Sequence, residues 1–181
     1  MKTIVKISVS AFFILLLACV GVIFFGSEAI ETMTVSYIGE GKEHSDKYIP
    51  GINREERAPD YGIRVRTHNG WKTIGVKQNT FIGDKNITFH PSGIFPVRLV
   101  YEVEIFDQDK IENDILDRVP FSQGIINGQN YRFATTTTKS LEAGLVYFGE
   151  TRLGKGIFIT FFFILLLPII VLLLPFLEAF S

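Results

Sequence analysis

The sequence contains little cysteine and histidine, the residues that form disulfides and many metal and catalytic sites. Its single cysteine, Cys19, excludes an intrachain disulfide, so a folded domain in this chain depends on its hydrophobic core. Its three histidines, His44, His68 and His90, form no pair with the spacing of metal ligands. The sequence contains no Ser-His-Asp signature, glycine elbow or phosphate-binding loop. These absences predict a protein that is not an enzyme.

An excess of charge of one sign is also missing. The 18 basic and 19 acidic residues give a formal net charge of −1. Binding to nucleic acid needs a basic face or stripe, so this balance argues against a nucleic-acid partner. A chain of 181 residues is long enough for one domain of ordinary size together with membrane segments.

Two long runs without a charged residue flank the polar middle of the chain. The first lies between Lys6 and Glu28, and the second lies between Lys155 and Glu178. A helix of about 20 apolar residues can cross the hydrocarbon core of a bilayer. The runs therefore predict transmembrane helices at residues 7–27 and 156–177, with short ends at residues 1–6 and 178–181.

The first run has a second interpretation, which is a cleaved signal peptide. Lys2 and Lys6 would form its charged region, and Ser27-Glu28-Ala29 resembles a cleavage site. The apolar part of a signal peptide usually has about 7–15 residues, so the longer run here favours a retained helix. With both helices retained, Lys2 and Lys6 place the N-terminus in the cytoplasm. The middle of the chain is then extracytoplasmic, on the periplasmic, extracellular or lumenal side.

The first helix also carries small residues on one side, namely Ser8, Ala11, Ala18 and Gly21. Small side chains allow two membrane helices to approach closely. We therefore expect the helices to contact another membrane protein or a second copy of the chain, in addition to membrane lipid.

The middle of the chain, residues 28–152, has the pattern of an all-β domain without helices. Alternating segments rich in β-branched and aromatic residues predict strands at residues 32–38, 61–67, 71–77, 87–89, 97–105, 131–138 and 141–148. Asn69-Gly70 stands between the second and third of these segments and predicts a hairpin. We therefore predict an antiparallel β-sandwich of seven or eight strands.

An acidic segment follows the fifth predicted strand. The alternation in this strand predicts that Val103 and Ile105 are buried, whereas Glu102 and Glu104 face water. Five carboxylates follow within eleven residues: Asp107, Asp109, Glu112, Asp114 and Asp117. Carboxylates so close together repel one another unless solvent or a cation compensates their charge. The segment therefore predicts an acidic loop that is either solvated or bound to a metal ion.

Three segments of the middle domain occur in the order that is found in a known family. They are Pro59-Asp60-Tyr61-Gly62-Ile63-Arg64-Val65, then Lys72-Thr73 with Gln78-Asn79-Thr80, and then Val103-Glu104-Ile105-Phe106-Asp107-Gln108-Asp109 with Asn113-Asp114-Ile115-Leu116. In this order they resemble a C2 domain over residues 32–148. The resemblance implies a C2-like sandwich in which Asp60, Asp107, Asp109 and Asp114 would be the ligands of Ca²⁺.

The sequence as a whole predicts a two-pass integral membrane protein with an extracytoplasmic C2-like sandwich. Its predicted function is that of a non-catalytic interaction module, such as an accessory or scaffold subunit of a membrane protein assembly. The alternative is a calcium-dependent domain that binds lipid or protein. An enzyme is the third alternative, and no group of residues in the sequence supports it.

Overall fold

The computed structural model describes residues 2–40, 43, 58–83, 85–108 and 113–178. Within the first and last helices it describes the side chains of residues 6–7, 9–25, 152–166 and 169–170. The chain divides into two compact units. One unit is Glu28–Ser140, and the other combines Met1–Ser27 with Leu141–Ser181.

The unit Glu28–Ser140 is built from strands. Eight strands occur in its described part: β1 (Glu28–Tyr37), β2 (Tyr61–Thr67), β3 (Gly70–Lys77), β4 (Ile87–Phe89), β5 (Glu102–Asp107), β6 (Asp114–Pro120), β7 (Gly124–Asn127) and β8 (Tyr131–Lys139). They form two antiparallel four-stranded sheets, with the orders β4-β1-β8-β7 and β3-β2-β5-β6. We call these the first and the second sheet. The prediction of an antiparallel sandwich with seven or eight strands is confirmed.

The core is formed by side chains from both sheets. Met33, Val35 and Phe133 contribute from the first sheet, whereas Ile63 and Ile105 contribute from the second, and all five are fully buried. Alternate residues of a strand point to the same face, so each sheet turns one apolar face towards the other. This core holds the domain together without a disulfide.

The hairpin between β2 and β3 forms where the Asn-Gly pair predicts it. Thr67 pairs with Gly70 at its end, and Gly70 has a φ of +100°. Glycine adopts this backbone conformation without the steric penalty that a β-carbon causes. The turn is therefore determined by local sequence.

The fifth strand begins later than predicted. Residues Val97–Leu99 form a short 3₁₀ helix, and β5 starts only at Glu102. Pro96 still forms a bridge with Ala29 of the first sheet, whereas β5 belongs to the second sheet. The helical turn carries the chain from one sheet to the other. The prediction of a single strand that begins at Val97 is therefore wrong.

Strands β6 and β7 are additional to the predicted strands. Asp107 ends β5, whereas Asp114 and Asp117 lie on β6, so the prediction of one continuous acidic loop is wrong for these three residues. The pairing of β5 with β6 shifts between Ile105 and Phe106. Ile115 of β6 is exposed although it is apolar. The shift and this exposed residue interrupt the alternation of apolar and polar residues by which a strand is recognised.

In its described residues, the other unit consists of three helices: α1 (Lys2–Phe25), α2 (Leu141–Glu150) and α3 (Arg152–Glu178). α3 covers the second uncharged run of the sequence, and α1 covers the first run as far as Phe25. Thr151 caps α3, because its hydroxyl accepts a hydrogen bond from the backbone N–H of Gly154 at 3.1 Å.

The predicted strand at residues 141–148 is wrong, because these residues form α2. Two small residues of this helix, Ala143 and Gly144, are buried. A β-carbon at position 144 would overlap the carbonyl oxygen of Ile23 in α1. Glycine therefore lets the backbones of α1 and α2 touch, and this contact stabilises the helix.

Candidate functional site

The predicted calcium ligands converge at one end of the second sheet. Asp60 directly precedes β2, Asp107 is the last residue of β5, and Asp114 is the first residue of β6. Tyr61 pairs with Asp107, and Asp107 pairs with Asp114, so the three acidic residues lie at neighbouring strand ends. The fourth predicted ligand, Asp109, lies outside the described residues.

Two of these carboxylates already accept backbone hydrogen bonds. The Oδ1 atom of Asp107, which is 1% exposed, accepts from the N–H of Asp60 at 2.8 Å. The Oδ1 atom of Asp60 accepts from the N–H of Asn79 at 2.7 Å, whereas Asp114 is exposed. Within the described part of the chain, no three His, Cys, Asp or Glu side chains are grouped so that they could hold a metal ion. Calcium binding therefore stays a prediction.

A further acidic residue, Glu43, makes contacts near this end of the sandwich. Its carboxylate accepts hydrogen bonds from the hydroxyl of Tyr61 and from the N–H groups of Ile82 and Gly83, the latter two at 2.8 and 2.7 Å. Glu43 thus ties its own segment to β2 and to the connection after β3. The polar segment at residues 39–59 has no periodicity, so nothing in the sequence distinguishes Glu43 from its neighbours.

Glu43 belongs to a buried network with two tyrosines. The hydroxyls of Tyr61 and Tyr131 lie 3.4 Å apart. Burial raises the pKa of Tyr61, and the hydrogen bond with Glu43 raises it further. Burial also raises the pKa of Tyr131, to about 12. Both phenols are therefore protonated at neutral pH, and Tyr61 can donate to the Glu43 carboxylate.

A second group of polar residues lies across the second sheet. We call Arg64, Arg66, Trp71, Glu104 and Arg118 the arginine–tryptophan cluster. Arg64 on β2 pairs in register with Glu104 on β5, which pairs in register with Arg118 on β6. The Nε atoms of Arg64 and Arg118 donate to the two carboxylate oxygens of Glu104 at 2.5 and 2.6 Å.

Trp71 completes this cluster. The guanidinium carbons of Arg64 and Arg118 each lie 5.1 Å from the centre of its ring, within the range of cation–π contacts. Glu104 is 0% exposed as a result, so the prediction that it faces water is wrong. Alternation along β5 identifies the face on which Glu104 lies, but the cover comes from three other strands.

The rest of the cluster is open to solvent. Arg66 donates to Glu102 at 3.1 Å, and both side chains are partly exposed. Surface ion pairs of this kind contribute about 0–1 kcal/mol. Glu102 therefore behaves as the alternation predicts, in contrast to Glu104 two residues further on.

Asp117 is a structural residue rather than part of a solvated loop. Its carboxylate accepts hydrogen bonds from the backbone N–H groups of Arg118 at 2.9 Å, Asn130 at 2.9 Å and Tyr131 at 3.0 Å. Tyr131 is the first residue of β8 in the first sheet, and Asn130 directly precedes it. Asp117 therefore joins β6 of the second sheet to the first sheet.

In the helical unit, large apolar side chains are exposed along both long helices. Phe13 and Leu17 of α1 are exposed, as are Phe158 and Phe162 of α3. Among the residues that the structure describes, no helix is both long and apolar enough to pass through a membrane.

Comparisons with known proteins do not show a family for this chain. No protein-family model matches the chain, and no curated protein matches it. A solved C2 domain is similar in structure, with 14% sequence identity and a TM-score of 0.30. The match covers 60% of this chain and 96% of the C2 domain.

Proposed function

We propose that the chain is a two-pass membrane protein whose extracytoplasmic C2-like sandwich is a non-catalytic interaction module. In this proposal it is an accessory or scaffold subunit of a membrane protein assembly. The observation that carries the proposal is that α1 and α3 coincide with the uncharged runs and expose large apolar side chains.

The lengths and the surfaces of the two helices support membrane anchoring. At 1.5 Å per residue, the 24 residues of α1 extend about 36 Å, compared with about 30 Å for the hydrocarbon core. In water, monomeric proteins rarely expose an apolar patch of more than a few hundred Å². Leu17 and Phe162 belong to surfaces that lipid or another membrane helix would cover.

The first helix has room for a partner. A β-carbon at Gly21 would meet no heavy atom within 4 Å. A helix of another membrane protein, or of a second copy, can therefore approach the backbone of α1 at this position. This supports the proposed role in an assembly.

Because no described helix qualifies as a membrane span, the first experiment tests anchoring. Membranes from cells that express the full chain are washed with alkaline carbonate and then extracted with detergent. We expect the chain to remain in the membrane pellet through the wash and to enter solution only with detergent, since apolar helices stay in the bilayer. Release by carbonate alone would contradict the anchor.

The second experiment tests the proposed assembly and is independent of the first. After extraction in a mild detergent, the native mass is measured by light scattering with correction for the micelle. We expect a particle much larger than the 20.4 kDa chain. A monodisperse monomer would contradict the role as a subunit and leave the anchor unaffected.

A second candidate function is calcium-dependent binding of lipid or protein. The convergence of Asp60, Asp107 and Asp114 at one end of the second sheet favours it. Calcium takes 6–8 oxygen ligands, which such a group of carboxylates could supply in part.

Calcium binding predicts a rise in the melting temperature of the full chain in detergent. At a hundredfold excess of calcium over its Kd, the stabilisation would be about 2.7 kcal/mol. The double variant Asp107→Asn, Asp109→Asn should lose this rise, whereas Glu102→Gln, at the other end of β5, should keep it. Equal shifts in the parent and the double variant would exclude these ligands.

A further inference from the structure

Helix α2 has an exposed apolar stripe. Leu141 and Leu145 are 69% and 51% exposed, and their spacing of four residues places them on the same side of the helix. Phe148, three residues after Leu145, lies on the same side of the helix and is half-buried. Glu142 lies outside the stripe.

The orientation of this stripe is fixed by contacts on another side of α2. Ala143 is fully buried, and Gly144 touches the backbone of α1 at Ile23. One turn further, Tyr147 packs over Gly26, and its ring lies 6.2 Å from that of Phe25. Because α2 is held in this way, it cannot rotate to bury Leu141 and Leu145 against α1.

Two observations locate α2 relative to the proposed membrane spans. It packs on the last turn of α1, where the first uncharged run ends. A single residue, Thr151, also separates the end of α2 from the start of α3, whose uncharged run begins at Gly156. If α1 and α3 span the membrane, both observations put α2 at the same boundary. Phe24 of α1 and Leu153 of α3 are also exposed there.

We infer that α2 lies in the membrane interface, with Leu141 and Leu145 inserted among the lipid acyl chains near the headgroups. The inference rests on the proposed membrane anchoring and names lipid as the occupant of this helix face. An interfacial helix buries its apolar face about 5–10 Å into the boundary between headgroups and acyl chains. An exposed apolar stripe on a helix that packs on the last turn of α1 and directly precedes α3 meets that description.

The test uses environment-sensitive fluorophores on single cysteines in the full chain. The native Cys19 is replaced by serine, and one cysteine is introduced by Leu141→Cys, Leu145→Cys, Phe162→Cys or Ile125→Cys. The protein is placed in phosphatidylcholine bilayers brominated either close to the headgroup or near the middle of the acyl chains. Ile125 is the matched control, since it is 69% exposed, as Leu141 is, but lies on β7 of the sandwich.

We expect the labels at Leu141 and Leu145 to lose most emission with bromine near the headgroup. The label at Phe162 should lose most with bromine in the middle of the chains, and the label at Ile125 should lose none. Quenching at Phe162 without quenching at Leu141 and Leu145 would overturn the interfacial position and leave the anchor intact. Absence of quenching at Phe162 would overturn the anchor itself. Equal quenching at Ile125 and Leu145 would also overturn the inference, because exposure alone would then explain it.

Discussion

Replacing Glu104 by glutamine is expected to reduce the free energy of unfolding by about 3 kcal/mol. In the folded protein, Glu104 is fully buried and each of its carboxylate oxygens accepts a hydrogen bond from one arginine. Glutamine keeps one acceptor oxygen, puts an NH₂ group against the other guanidinium and removes the negative charge that Arg64 and Arg118 share.

The expected size of this effect follows from the exposure of the two arginines. Removal of one partner from a buried ion pair costs about 3–5 kcal/mol, because the remaining charge stays unpaired in the interior. The Arg118 side chain is 42% exposed and can recover part of its hydration, which places the expected loss at the lower limit. The Arg64 side chain is 24% exposed and recovers less of its hydration.

The chain offers a matched control and a local reporter for this experiment. Glu102→Gln makes the same chemical change two residues away, in an exposed ion pair with Arg66, and should cost about 0–1 kcal/mol. Trp71 is the single tryptophan of the chain, so its fluorescence reports on the cluster during urea unfolding in detergent. Equal losses in the two variants would show that burial of Glu104 does not determine its contribution.

Replacing Asp117 by alanine is also expected to destabilise the fold by about 3 kcal/mol, because several backbone N–H groups lose their acceptor at once. The N–H of Tyr131 is among them, in a residue that is 2% exposed. The neighbouring turn has adapted to the carboxylate, since a β-carbon at Gly128 would overlap it. The substitution should therefore weaken the connection between β6 and the start of β8, which the Asp117 hydrogen bonds form.

Two further variants make the result for Asp117 specific. Asp117→Asn keeps one acceptor oxygen and should lose less stability than Asp117→Ala. Asp114→Ala removes an exposed carboxylate from the same strand and should change stability by no more than about 0.5 kcal/mol in calcium-free buffer. Urea unfolding of the full chain measures the free energy of unfolding of all three variants. A loss at position 114 as large as that at 117 would contradict a structural role particular to Asp117.

The sequence by itself determined the features that depend on neighbours along the chain. Alternating apolar residues predict β2 and β8, because the side-chain period of a strand is two and one face must be buried. Asn69-Gly70 predicts the hairpin, because its geometry requires a positive φ. The uncharged runs predict α1 and α3 as helices. The resemblance to a C2 domain implies that Asp60, Asp107, Asp109 and Asp114 share one site, and the three of them that the structure describes lie at neighbouring strand ends.

Only the tertiary structure decided the features that depend on residues far apart in the sequence. Glu104 stands at a position that alternation assigns to water, yet Arg64, Trp71 and Arg118 cover it from three other strands. The local pattern of residues 141–148 predicts a strand. They form α2 because Gly144 meets the backbone of Ile23, which lies more than a hundred residues earlier. Burial and packing are properties of the assembled fold, and a local pattern predicts them only where no distant residue intervenes.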